Sequence, residues 1–191
     1  MLIPALFAAS IVAPSAASAQ ALPAAVVAVV DLDKVTSDCT ACKTATAALR
    51  GQASAIEARA KALAPPLEAE QKAIQAVINA LGGKQPDAAL EARIKAFQAK
   101  QQSGAVEIDR RQDEIRRNQE YIRQQIATKL GPIYQQVMTA RGATVLVDSA
   151  VTLATSASID VTADVTRALN ASLPSIATTA PAQAQQQPQG R

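Results

Sequence analysis

Residues 81–87, L-G-G-K-Q-P-D, separate two long segments that are rich in Ala, Glu, Gln, Lys and Arg. These residue types are strong helix formers. Two glycines followed by a proline end a helix, whereas Asp87 is a favoured residue at the start of the next one. The sequence therefore predicts one helix over residues 39–81 and a second over residues 88–140, which Gly142 ends in a left-handed conformation.

Apolar residues on the two sides of this turn can be paired as an antiparallel hairpin requires. They recur largely at spacings of seven residues, which place them on one face of each helix. The two residue numbers in every pair add up to the same total, which is the condition for antiparallel contact. The predicted contacts are Leu81 with Leu90, Ile74 with Phe97, Leu67 with Gly104, Leu63 with Ile108, Ile56 with Ile115 and Leu49 with Ile122. We call these residues the hairpin seam, and at 1.5 Å per residue they predict an arm roughly 60 Å long.

Two features interrupt this arm about halfway along. Pro65 and Pro66 remove two helical N–H donors and favour a bend. Gly104 is predicted to lie opposite Leu67, beside that bend. The pattern is compatible with a harmless adjustment of packing and with a hinge in a flexible arm. We call Pro65, Pro66 and Gly104 the candidate hinge.

Short β-branched runs flank the hairpin and predict strands at residues 24–31, 143–148 and 150–154. A short capped helix is predicted over residues 160–169. Three strands leave exposed edges and too little core to stand alone. We therefore expect an α+β fold in which the long antiparallel hairpin projects from a small β body that is completed by oligomerisation. The strand residues expected in the oligomer core are Val27, Val29, Val145 and Val147.

The predicted organisation assigns residues 25–38 and 141–173 to the β body and residues 39–140 to the arm. Residues 1–19 contain no charged side chain and end in A-S-A, which predicts a cleaved signal peptide and a location outside the cytoplasm. A membrane anchor is the alternative, although the apolar run is short and broken by two prolines. Residues 174–191 are rich in Pro and Gln and are predicted to be a disordered tail.

The composition argues against several classes of function. The chain has no His, which makes hydrolytic or zinc chemistry less expected, and we predict no cofactor. Only 2% of its residues are aromatic, which favours thin helical seams over a large compact core. Between residues 43 and 129 there are fifteen basic and ten acidic side chains. This excess either belongs to a solvated face with ion pairs or attracts acidic partners. Nucleic acid fits the charge, but no aromatic residues interleave with the basic ones to stack on bases.

Cys39 and Cys42 are the only cysteines, and they form a C-x-x-C pair after a strand and at the start of a helix. Thiol–disulfide oxidoreductases place their cysteines in this way. Here a long arm follows instead of a second half of sheet. A structural disulfide or a pair of free thiols, a redox role, and a metal or intermolecular bond all remain open.

The order of segments resembles the Skp (OmpH-like) family of periplasmic chaperones. The matching segments are V-A-V-V-D-L-D-K-V at residues 27–35, G-A-T-V-L-V-D-S-A-V at residues 142–151 and D-V-T-A-D-V at residues 160–165, arranged around a long hairpin. The resemblance covers residues 25–173 and leaves out the C-x-x-C pair and the tail.

This resemblance implies a homotrimer whose three arms enclose a cavity. It also implies an ATP-independent holdase, with no enzyme activity, that binds unfolded outer-membrane β-barrel proteins in the periplasm. Weak, dispersed contacts leave no motif, so no client-binding residue is predicted. A thiol–disulfide oxidoreductase that uses Cys39 and Cys42 is the alternative function, and a structural adaptor is a weaker third.

Overall fold

A computed structural model of the chain describes residues 23–182. The signal-peptide prediction for residues 1–19 lies outside the described residues, as does the end of the predicted tail. The elements in chain order are β1 (Val27–Val30), α1 (Leu32–Asp38), α2 (Thr40–Ala80), α3 (Ala88–Arg141), β2 (Val145–Asp148) and α4 (Thr162–Ser172), with 3₁₀ turns at Ser149–Val151 and Ala157–Ile159 between β2 and α4.

The two long helices, α2 and α3, are present and end within one residue of their predicted bounds. The Asp87 side chain accepts a hydrogen bond from the Leu90 N–H at 2.8 Å and so caps the start of α3. Gly142 ends α3 with φ of 65°, in the left-handed region where a side chain would be strained. The local rules that place helix ends are therefore confirmed at these positions.

The short helix α1 was not predicted, and Thr36, Ser37 and Asp38 are residue types that usually cap the start of a helix. They lie inside α1 instead, where the Thr36 and Ser37 hydroxyls donate to carbonyls one turn back. The break comes one residue later. Cys39 has an extended ψ of 119°, and its Sγ accepts a hydrogen bond from the Cys42 N–H at 3.1 Å.

The β sheet of the described residues has two parallel strands, and Val27 and Val29 of β1 pair with Val145 and Val147 of β2. The prediction of a third strand at residues 150–154 is wrong. The Asp148 side chain accepts a hydrogen bond from the Ala150 N–H at 3.1 Å and turns the chain away from the sheet as a 3₁₀ turn.

The hydrophobic core lies at the base of the arm, where β1, α1 and α4 pack against the start of α2 and the end of α3. It includes both cysteines. The buried core residues are Ala28, Val30, Val35, Cys39, Ala41, Cys42, Leu130, Ile133, Val137, Val161, Val165, Leu169 and Leu173. Most of the long helices therefore extend beyond the core.

Residues 174–182, which we call the C-terminal segment, differ from the prediction of a disordered tail. After α4 they run back along the base of the arm, and Ile176 packs against the core. Their backbone groups are bound by side chains of α2 and α3. This segment of small residues is ordered because side chains of the arm supply hydrogen-bond partners for its backbone.

None of the helices between residues 23 and 182 combines the length and the apolarity that a membrane crossing requires.

Candidate functional site

The hairpin seam is thin, because most of its apolar side chains stay partly accessible. Ile74, Leu90, Gly104 and Ile122 are buried. The other predicted seam residues are half-buried, and they are Leu49, Ile56, Leu63, Leu67, Leu81, Phe97, Ile108 and Ile115. The arm therefore presents a line of half-covered apolar groups along its length.

Contacts across the hairpin show antiparallel packing with a register that drifts from the predicted one. A Cβ at Gly104 would lie 3.6 Å from Leu63 Cδ1, so Leu63 takes the place predicted for Leu67, one helical turn away. The prediction assumed a strict repeat of seven residues, whereas a straight α-helix drifts by about 20° per heptad. Leu63, Leu67 and Gly104 nevertheless line one groove of about 260 Å³ together with Pro66.

The candidate hinge residues lie within continuous helices. Pro65 and Pro66 are exposed inside α2, and Gly104 is buried inside α3. The carbonyls of Lys61 and Ala62 lose their usual helical donors to the two prolines. The helix is thus locally weakened at the place where Gly104 brings the two helices close together.

Ion pairs join the two helices of the arm. Arg59 Nη2 and Arg111 Nη2 lie 2.9 Å and 3.0 Å from the Glu107 carboxylate, so Glu107 links α2 to α3. Arg93 makes a two-pronged contact with Glu70, at 2.7 Å and 3.0 Å. Hydrogen bonds from the arginines hold the pKa of both Glu107 and Glu70 below the ordinary value for a glutamate.

Many basic side chains of the arm are not neutralised by such pairs. Several lack a carboxylate oxygen within 4.0 Å among the residues that the structure describes. They are Lys43, Arg50, Lys72, Lys84, Lys95, Lys100, Arg117 and Lys129. The arm therefore combines half-covered apolar groups with a surplus of free positive charge.

Cys39 and Cys42 are joined by a disulfide inside the core. Cys39 is fully buried and Cys42 is 5% exposed. Thiol exchange needs an attacking thiolate to reach a sulfur, so burial does not favour the oxidoreductase alternative. No group of three or more metal-ligating side chains occurs in residues 23–182.

The four valines predicted for the oligomer core have different environments. Val27 and Val145, which are direct partners in the sheet, are 40% and 39% exposed. Val147 is half-buried, whereas Val29 is buried within the chain, where its carbonyl accepts a hydrogen bond from the Val161 N–H. Val151 and Leu153, which follow β2 in the chain, are 78% and fully exposed, so apolar side chains are accessible both in the sheet and just after it.

Three amide side chains at the base of the arm were missed in the sequence. Gln52 of α2 and Asn118 and Gln125 of α3 hold the C-terminal segment, and we call them the amide cluster. The heptad pattern of α3 could have indicated two of these residues, because polar residues continue an apolar series there. The series that contains Leu90, Phe97 and Gly104 continues with the polar residues Arg111, Asn118 and Gln125.

A long antiparallel hairpin inserted between two parallel strands of a small body defines a class of arm-bearing α+β proteins. The profile of the OmpH-like outer membrane protein family matches residues 26–169, and the chain belongs to this family. A crystal structure of a proposed OmpH-like outer membrane chaperone from Caulobacter crescentus CB15 has a similar fold, with a TM-score of 0.67 and 20% sequence identity. The similarity covers 86% of this chain and 95% of that chain. A search of the curated proteins found no significant match.

Proposed function

We propose that the protein is an ATP-independent holdase chaperone of the periplasm. It binds unfolded outer-membrane β-barrel proteins in a cavity between helical arms and prevents their aggregation. Membership of the OmpH-like family supports a chaperone role. The observation on which the proposal chiefly rests is the arm itself, in which half-covered apolar side chains alternate with basic side chains that lack an acidic partner.

Such a surface suits an unfolded chain because no single contact has to be strong. The strands of an unfolded β-barrel protein alternate apolar and polar residues and aggregate readily. Half-covered apolar groups such as Phe97 and Ile108 offer weak contacts along the arm. Many weak contacts raise the total affinity without requiring one deep pocket. The client can then be released without an energy source.

The cavity requires more than one chain, and we propose a homotrimer. The outer edge of β2 is unpaired in the described residues, and Val27, Val145, Val151 and Leu153 expose apolar surface near it. A two-stranded sheet with an open edge is rarely stable by itself. Strands of neighbouring chains would cover this surface and direct the arms to one side.

A hinge at Pro65, Pro66 and Gly104 would let one cavity adapt to clients of different size. The helical hydrogen bonds are already depleted at the two prolines. Bending there would change the distance between arm tips while the paired region near Glu107 stays fixed.

The direct test is aggregation of a urea-unfolded outer-membrane protein after dilution, followed by light scattering without nucleotide. We expect the protein to suppress scattering. Replacing Lys95 and Lys100 by Gln should raise the concentration needed for half suppression by about 2- to 30-fold, because each exposed charge contributes about 0.2–1 kcal/mol. The matched control replaces Lys34 and Arg167, which lie on the body, and should behave as the unchanged protein. An absence of suppression for several clients at several salt concentrations would contradict the proposal.

A further inference from the structure

The amide cluster binds the C-terminal segment through its main chain. Gln125 Oε1 accepts from the Ala177 N–H at 3.0 Å, and Gln125 Nε2 donates to the Ala177 carbonyl at 2.9 Å. Gln52 Nε2 donates to the Thr178 carbonyl at 3.2 Å, and Asn118 Oδ1 accepts from the Ala180 N–H at 2.8 Å. Every one of these four bonds uses a backbone group of the segment and a side-chain amide of the arm.

The two bonds to Ala177 indicate an extended backbone at this residue. The N–H and C=O of one residue point the same way only in an extended backbone, and both groups of Ala177 reach the same Gln125 side chain. The Gln125 side chain thus makes the two hydrogen bonds that a residue of a neighbouring strand would make in a sheet. Pro181 favours an extended conformation of the residue before it, Ala180. Ala177 is therefore held like one residue of a strand, and the chain bends at Thr179 before Ala180 meets Asn118.

Two side chains of the amide cluster also hold each other in place through a hydrogen bond. Asn118 is only 8% exposed, and its Nδ2 donates to Gln52 Oε1 at 2.9 Å, so the two side chains orient each other across the hairpin. Buried amides with fixed orientation cost free energy when they lack partners. A peptide backbone supplies both donors and acceptors, as Ala177, Thr178 and Ala180 do here.

We propose that Gln52, Asn118 and Gln125 form a binding site for a polypeptide backbone, which residues 177–180 occupy in the absence of a client. The inference rests on the proposed function for the identity of the incoming chain, namely a stretch of an unfolded client. Because the bonds involve only main-chain groups, the site accepts almost any sequence. A client segment displaces residues 177–180, so the C-terminal segment competes with clients at the base of the arm.

The tethered segment has an advantage over a free chain, since its effective concentration is in the millimolar range for a short connection. A client that touches the arms at many points overcomes this advantage through its own multiple contacts. If the segment occupies the site about nine-tenths of the time, its removal strengthens the site's affinity for a peptide about tenfold.

The first experiment removes residues 177–191 and keeps Ile176, which packs against the core. The control removes only residues 183–191 and so retains all four contacts. A fluorescent peptide with the sequence of residues 174–182 should bind the shorter protein and bind the control about tenfold more weakly. A peptide in which Pro replaces Ala177 should lose binding, because proline lacks the N–H that Gln125 accepts. Equal binding of the two peptides, or no binding to the shorter protein, would overturn the inference.

The second experiment replaces Gln125 by Met in the shorter protein. Methionine is similar in length but offers no amide, so peptide binding should be lost. The control is Gln124→Met at the exposed neighbouring position, which should bind as before. Circular dichroism of both variants establishes that the helices are retained. Peptide binding that survives Gln125→Met in a folded protein would contradict the assigned role of the amide cluster.

Hydrogen exchange in the full chain separates this inference from the proposed function. The N–H groups of Ala177 and Ala180 are hydrogen-bonded, and exchange there should accelerate when an unfolded outer-membrane protein is added. Suppressed aggregation with unchanged exchange would overturn displacement of the segment while the holdase function stands. No suppression, with peptide binding intact in the shorter protein, would instead overturn the holdase function and leave the backbone-binding site in place.

Discussion

Cys39 and Cys42 act at the scale of single residues by fixing the junction between the body and the arm. Cys39 ends α1, caps α2 and lies fully buried in the core. The bond to Cys42 keeps the first turn of α2 closed against β1 and α4. The pair thus links the end of α1 to the first turn of α2 within the core.

Replacing both cysteines by Ala should lower the free energy of unfolding by about 2 kcal/mol, because the disulfide closes a loop of only four residues. The loss corresponds to a melting temperature that is lower by roughly 4–8 °C. Thermal unfolding followed by circular dichroism measures it, and the unchanged protein in dithiothreitol should melt like the variant. Suppression of aggregation should survive, whereas its loss in a folded variant would favour a redox role for the pair.

At the scale of the elements, ion pairs join the two helices of the arm beside its thin apolar seam. Glu107 contacts Arg59 of α2 and Arg111 of its own helix, and Arg93 joins Glu70. The hydrogen bonds from the arginines lower the pKa of Glu107 and Glu70 from the ordinary value of 4.5. A carboxylate with a lowered pKa stabilises the fold above its unfolded pKa and loses this contribution as the pH falls through the folded pKa.

The hairpin should therefore be insensitive to pH near neutrality and should weaken below about pH 4.5. Glu107→Gln should lower the melting temperature at pH 7 by a few degrees, and the difference from the unchanged protein should shrink toward pH 3, where both lack the carboxylate. Helix content as a function of temperature and pH measures this. The control is Glu68→Gln on the exposed side of α2, which should follow the unchanged protein. A constant difference across this pH range would contradict the assigned role of Glu107.

The elements also show what the sequence could predict. Local signals placed the ends of α2 and α3, since Asp87 and Gly142 act through groups within their own turn. The strand prediction at residues 150–154 failed because the hydrogen bond that the Asp148 side chain accepts from the Ala150 N–H competes with β propensity. The C-terminal segment was missed for a different reason. Its partners lie 52 to 126 residues away, and no local pattern reports bonds between side chains and a distant backbone.

At the scale of the whole molecule, one chain has a core at the base of the arm but leaves its sheet unfinished. The body buries β1 between β2 and the chain near Asp160, whereas the outer edge of β2 has no partner in the described residues. The same chain extends two long helices whose apolar groups are half-covered. In the proposed trimer, other copies would cover the sheet and leave the arms free, so that the body serves assembly and the arms serve binding.

Val145→Glu should test this division, because it places a charge on the exposed sheet face next to Val27. The unchanged protein should sediment as three chains at micromolar concentration, and the variant as a monomer, since an unpaired buried carboxylate costs several kcal/mol. The control is Val106→Glu on the arm, where the valine is 53% exposed, and it should remain a trimer. The monomer should keep its helix content but lose most suppression of aggregation, because one arm encloses nothing. A trimeric Val145→Glu protein would place the interface elsewhere, and full suppression by a monomer would show that no cavity is needed.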